Sequence, residues 1–182
     1  MAKLILAAML AFSIGCSAQK TRREVTHPSA NPADDAGLNS PSVPEALALN
    51  AHLTRVLVLR FKYNTDLLAE INKMVQQEKI RNAVVLSGFG SVRNYQVHQV
   101  GNRDIPPKDV FVKNSTAPAD IIGMSGVVIG GRVHAHITLA NQDHAFGGHL
   151  EPDTTVFTFA VITLGVLDDA VDLSRFDDWN YR

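Results

Sequence analysis

Residues 132–139 alternate without a fault. Val133, Ala135, Ile137 and Leu139 fall on one parity, and Arg132, His134, His136 and Thr138 on the other. A helix would scatter these positions around its circumference, whereas a strand sorts them onto two faces, so the run predicts a half-buried strand. The apolar parity needs a core beneath it, and the polar parity then projects His134 and His136 side by side. A second short apolar stretch follows and ends in Gly147-Gly148-His149-Leu150-Glu151. His149 can supply a third imidazole from a neighbouring strand. Three histidines with one coordination position left open are the pattern of a reactive or ligand-binding zinc site rather than a closed structural one. The glycine pair before His149 lets another backbone or a ligand come close.

A second reading stands beside this one. Histidines are common on polar sheet faces, and the same residues could form a pH-sensitive surface without a metal. Four of the seven histidines, counting His144, lie between positions 134 and 149. His144 falls in a turn region and is left out of the candidate ligand set. The only cysteine is Cys16, so the folded part can have neither a disulfide framework nor a thiolate zinc cluster.

The N-terminus reads as a secretory signal over residues 1–16: Lys3, a short apolar run over residues 4–12, then small residues. The run is too short for an ordinary transmembrane helix. Its end, Ser13-Ile14-Gly15-Cys16-Ser17, resembles a bacterial lipoprotein signal, in which the cysteine becomes the lipidated first residue; the other reading is a plain signal cleaved near Ala18. The expected place of the protein is therefore the cell envelope, membrane-anchored through Cys16 or periplasmic. Residues 17–50 read as a disordered tether, punctuated by Pro28, Pro32, Pro41 and Pro44 and lacking any apolar period. Arg22 and Arg23 read as a solvated pair within it.

The folded domain is expected over residues 51–182. Residues 55–61 read as a strand. Thr65-Asp66 offers a helix N-cap, and Leu67, Leu68, Ile71, Met74 and Val75 follow at helical spacing, so residues 66–78 read as an amphipathic helix. Residues 83–86 form a continuous apolar run, read as a strand buried on both faces and completing a strand-helix-strand opening. Gly88 and Gly90 do not match a phosphate-binding loop and read as a tight turn or bulge before a strand over residues 92–100. That strand places Tyr95 and His98 on opposite faces. Residues 101–119 read as a polar loop. Residues 121–129 and 132–139 form a hairpin around Gly130-Gly131. Residues 144–150 and 155–164 read as further strands, and Trp179 and Tyr181 as aromatics that dock the acidic tail. The class is α/β, a compact domain with a twisted, largely antiparallel sheet and few helices.

Several segments together resemble one family. They are Asp66-Leu67-Leu68, residues 80–92 (Ile80-Arg81-Asn82 through Ser91-Val92), Ser125-Gly126, residues 134–140 and Gly147-Gly148-His149-Leu150. In that order they are similar to the PPC domain, also called DUF296, "plants and prokaryotes conserved". The resemblance runs from about Arg55 to the end of the sequence. It implies a compact α/β unit that assembles as a homotrimer, with His134, His136 and His149 matching the histidines associated with zinc in prokaryotic members. The implied fold is also similar to that of acetolactate decarboxylase and a small group of proposed ester hydrolases, which hold zinc with an H-x-H and a later histidine. Plant members follow an AT-hook that binds DNA; no such motif occurs here.

Three functions are in view. The first is an exported zinc-binding module with an open position for an unknown small ligand. The second is a zinc-dependent hydrolase or decarboxylase, in which the metal polarises a carbonyl or activates a water and Glu151, His98 or Tyr95 handles the proton. For Glu151 the simpler reading is a solvated turn residue before Pro152. The third is the DNA-binding role that the family label suggests. A formal net charge of −1 and a pI near 6.6 count against it, because nucleic-acid binders show a basic face.

Overall fold

One long strand, Ala83–Val100, is the axis of the protein, and four of the other described strands pair with it directly. The computed structural model describes residues 19–25, 31, 33 and 40–178. The expected signal segment with Cys16, and the aromatics Trp179 and Tyr181, lie outside the described residues. The elements in chain order are β1 (Lys20–Glu24), β2 (Leu53–Lys62), α1 (Leu67–Gln77), β3 (Ala83–Val100), β4 (Asp109–Asn114), β5 (Ala119–Ile129), β6 (Arg132–Ala140), β7 (Ala145–Leu150) and β8 (Thr155–Leu167), followed by a 3-10 turn at Ser174–Asp177. All pairings are antiparallel. The fold is thus the expected antiparallel sheet with one α-helix among the fully described elements. No helix among the described residues is long and apolar enough to cross a membrane.

The sheet turns back on itself around β3. The first half of β3 lies between β8 and β5, and its second half meets β4 and β7. Because β5, β6 and β7 pair in sequence, the third of them returns to β3 at Val97↔Leu150 and His98↔His149. Helix α1 starts at Asp66, whose carboxylate accepts a hydrogen bond from the Ala69 amide at 2.9 Å. Leu67, Ile71 and Val75 recur at helical spacing and are fully or almost fully buried. They join Val97, Ile137, Leu139, Leu150, Ile162 and Leu164 in one core. The inward parity of residues 132–139 is as expected: Ala135, Ile137 and Leu139 are buried. Leu150 is wholly enclosed immediately beside His149, and truncating such a leucine to alanine costs about 2–5 kcal/mol.

Five expectations need correction. The strand-helix-strand order holds, but β2 and β3 are not neighbours; β8 lies between them and pairs with both. Residues 83–86 are not buried on both faces, since Leu86 is half exposed. The glycines after it do not end the strand. They sit inside β3, where its register with β8 shifts between Val85 and Ser87 and again between Gly90 and Val92. Gly90 has φ 142°, and a Cβ there would meet the Phe159 carbonyl oxygen at 2.2 Å, so only glycine lets β8 approach. The polar loop of residues 101–119 contains strand β4, too short to announce itself and fixed by neighbours on both sides. Finally, the segment expected as tether contributes β1, which supplies the backbone partners that the edge of β4 otherwise lacks.

Candidate metal centre

One straight row of paired residues crosses the sheet. Arg22 of β1 lies opposite Phe111 of β4, Phe111 opposite His98 of β3, His98 opposite His149 of β7, His149 opposite His136 of β6, and His136 opposite Ser125 of β5. Residues directly opposite in an antiparallel pair project to the same face, with Cβ atoms about 4.5–5.5 Å apart. The row therefore collects side chains from six strands that are scattered in sequence. His134 joins it as the second histidine of β6 on that face.

Four imidazoles touch in this row. The ring centroids of His134 and His136 are 5.5 Å apart, those of His134 and His149 4.7 Å, and those of His136 and His149 5.3 Å. His98 stacks on His149 at 4.5 Å with planes 20° apart. The backbone makes this closeness possible: a Cβ on Gly148 would lie 2.2 Å from the His98 carbonyl oxygen. The glycine pair read from the sequence thus admits a neighbouring strand.

Two overlapping groups of potential ligands result. His134, His136 and His149 form one, and His98, His149 and Glu151 the other, the ligand atoms of each lying within 4.8 Å of one another. In a tetrahedral zinc site with bonds of about 2.0–2.1 Å, the nitrogens stand about 3.4 Å apart, which small side-chain rotations reach from here. The donor set fits a divalent metal that takes nitrogen, and the absence of cysteine from these groups excludes a thiolate site.

Burial keeps two of the rings unprotonated. Burial lowers the His149 pKa to about 4, with the nearby His98 and His134 adding to the shift and Glu151 opposing it. His136 is lowered too, by burial first and then by His134 and His98. Near neutral pH both rings are neutral and present lone pairs.

Two carboxylates reach the rings from outside the triad. Glu151 Oε1 lies 2.5 Å from Nδ1 of His98, and Asp177 Oδ1 lies 2.7 Å from Nδ1 of His134. Glu151 is thus not the solvated turn residue expected but a partly buried neighbour of the site. Asp109 Oδ2 stands 4.0 Å from Nε2 of His98. Of the other candidates, His98 belongs to the site and Tyr95 does not: it is buried on the core side against Phe146, with its pKa raised by burial and partly restored by Asn114. His144 is exposed, packs on Phe146 and belongs to neither ligand group. Asp177, Asp109, Phe111 and Arg22 were not predicted as site residues. Arg22, read as solvated, places its guanidinium 4.4 Å from the Phe111 ring centroid and also pairs with Glu24 at 3.0 Å. Parity could have flagged Asp109 and Phe111 had β4 been recognised, while nothing in the local sequence marks Asp177.

Residues 49–168 match the model of the Plants and Prokaryotes Conserved (PCC) domain. Among curated proteins, a Bifunctional protein GlmU from Synechococcus sp. (strain JA-2-3B'a(2-13)) is 24% identical over 143 residues, covering 76% of this chain. The chain spans only 21% of the length of that relative. Among solved structures, a plant- and prokaryote-conserved (PPC) protein from Pyrococcus horikoshii superimposes with a TM-score of 0.57 at 21% identity, covering 70% of this chain and 89% of that one. A metal-containing protein from Archaeoglobus fulgidus gives a TM-score of 0.54 at 23% identity, covering 66% and 86%. At these identities the structural likeness is one of fold.

Proposed function

The chain belongs to the Plants and Prokaryotes Conserved (PCC) domain family, and from that premise we propose that it is an exported zinc-binding module with an open position for a small ligand. The observation that carries this reading is the meeting of His134, His136 and His149 on one sheet face, with ligand atoms within 4.8 Å. Two neighbouring strands deliver them, and the lowered pKa values of His136 and His149 leave neutral imidazoles, the form that zinc takes. The description of the Archaeoglobus protein as metal-containing agrees with this. Three nitrogens leave the fourth position to water or to a ligand oxygen. The module is exported through the N-terminal signal and held at the membrane through Cys16. It assembles as a homotrimer through the exposed apolar patch of Val56, Val58, Leu86, Phe89, Phe157 and Phe159, which a lone soluble domain would leave in water. Nucleic acid is not its partner, given a formal net charge of −1. Elemental analysis of the purified protein should find one zinc per chain, and single alanine substitutions at His134, His136 and His149 should each lower it sharply. Undiminished zinc in a His134→Ala, His136→Ala double variant would place the metal elsewhere.

A second reading, a zinc-dependent hydrolase or decarboxylase, is favoured by the contact between Glu151 and His98 directly beside His149. A carboxylate-imidazole pair next to an open metal position is equipped to move a proton during attack on a carbonyl. Screening small esters and 2-keto or 2-hydroxy carboxylates with the zinc-loaded protein decides between the two. Turnover that Glu151→Gln abolishes while zinc content stays constant would establish the enzyme; no turnover on any of them favours the binding module.

A further inference from the structure

The C-terminal segment reaches the metal site by a chain of specific contacts. Buried Asn82, the residue before β3, donates from Nδ2 to the Val171 carbonyl at 2.8 Å and accepts at its own backbone carbonyl from the Leu167 amide at 2.9 Å. Two residues beyond Val171, Leu173 is buried with Ile129 and Leu167 in a small apolar cluster separate from the main core. Asp172 Oδ1 accepts from the Ser174 amide at 2.9 Å and starts the 3-10 turn, which the Phe176 amide closes on the Leu173 carbonyl at 2.9 Å. The last residue of that turn is Asp177, with Oδ1 2.7 Å from Nδ1 of His134.

We propose that Asp177 is a positioning residue of the metal site, fixing through Nδ1 the tautomer and the ring orientation with which His134 offers Nε2 to the ion. This rests on the metal-binding reading above. An ionised carboxylate only accepts hydrogen bonds, so the Nδ1 it faces must carry the ring's proton. A neutral imidazole has one proton, so the lone pair is then on Nε2. Metal-bound histidines characteristically donate their other N–H to such a partner, which holds the ring against rotation and makes it a better ligand. Both side chains are about a third exposed, at 38% and 32%, so the contact adds little stability. Its content is orientational. Asn82, Val171, Leu173 and the turn hold the carboxylate in place, which a mobile surface acid would not be.

The test uses the full-length protein and zinc ion alone as the probe. Calorimetric titration should show Asp177→Ala binding zinc about 10- to 100-fold more weakly than wild type, with the thermal midpoint of the metal-free protein unchanged. In the metal-free wild type, NMR of the imidazole nitrogens should show the His134 proton on Nδ1, and in Asp177→Ala a mixture of both tautomers. Zinc binding by Asp177→Ala as tight as wild type, while His134→Ala loses it, would overturn the role of Asp177 and leave the metal site standing. Unweakened binding in both His134→Ala and His136→Ala would remove the triad and the inference with it. Should Asp177→Ala fail to fold, the wild-type spectrum decides alone: a His134 proton on Nε2 refutes the proposal.

Discussion

His98 and His149 face one another across β3 and β7 with their rings stacked at 4.5 Å. Their backbones are as close as the strand pairing allows, and Gly148 is the reason. The stack is where the metal triad meets the Glu151-bearing side of the site, so whatever disturbs it disturbs both ligand groups. His149 is also the ring whose protonation the fold resists most clearly, first through burial and then through His98 and His134.

That resistance gives a pH dependence with a definite sign. His149 titrates near 4 in the folded protein against 6.5 for an ordinary histidine, so between those values the unfolded chain binds more protons. Stability of the metal-free protein should therefore rise with pH across this window, flatten above it, and lose this contribution fully below about 4. Urea midpoints measured across the range test it. A profile that His149→Gln leaves unchanged would show that the ring makes no contribution.

Gly148→Ala should open the site from beneath. The added methyl would meet the His98 carbonyl oxygen, a backbone atom that cannot rotate away. Overpacking of this kind costs about 1–3 kcal/mol, and here it must also part β7 from β3. Chemical denaturation should show the loss, and zinc affinity should fall with it. A variant as stable as wild type would mean that β7 is less tightly held than the structure places it.

The proposed trimer predicts a threefold change in mass. Val58 is 64% exposed on β2, and Phe89 and Phe159 meet edge to face nearby with centroids 6.3 Å apart. Light scattering on the wild type should give about three times the chain mass, and Val58→Asp with Phe89→Asp should give the monomer without loss of the folded spectrum. A wild-type monomer at micromolar concentration rejects the assembly.

Export and anchoring are read from Lys3, the apolar run and Gly15-Cys16. Wild-type protein should sediment with membranes and carry lipid on Cys16, while Cys16→Ser should appear in the soluble envelope fraction. A wholly cytoplasmic wild type would reject the signal and return nucleic acid to consideration as a partner.

What the sequence showed, and what it hid, follows from how far each contact reaches. The alternation of residues 132–139 placed His134 and His136 on one face because strand parity is a local property, and Asp66 marked the start of α1 because capping acts within one turn. The company of His149 depended on register. The His98–His149 pair exists only because β7 returns to β3, and no local pattern states that. Asp177 is further from view, since it reaches His134 through Asn82 and Leu173, residues whose own neighbourhoods say nothing of histidine. The strands β1 and β4 were missed because they are five and six residues long and owe their strand state to partners. Leu86 misled in another way: its place in an apolar run suggested burial, but it is half exposed.

The partnership of β2 with β8 also sets the order in which this chain can acquire structure. Leu59 pairs with Ile162, and β3 needs the same final strand along its first half. A chain made from its N-terminus therefore emerges with β2 and one flank of β3 unpaired until the last strand is synthesised. Such distant pairing also makes for slow folding. The two halves of the sheet around β3 are therefore joined only when the last strand of the domain is in place.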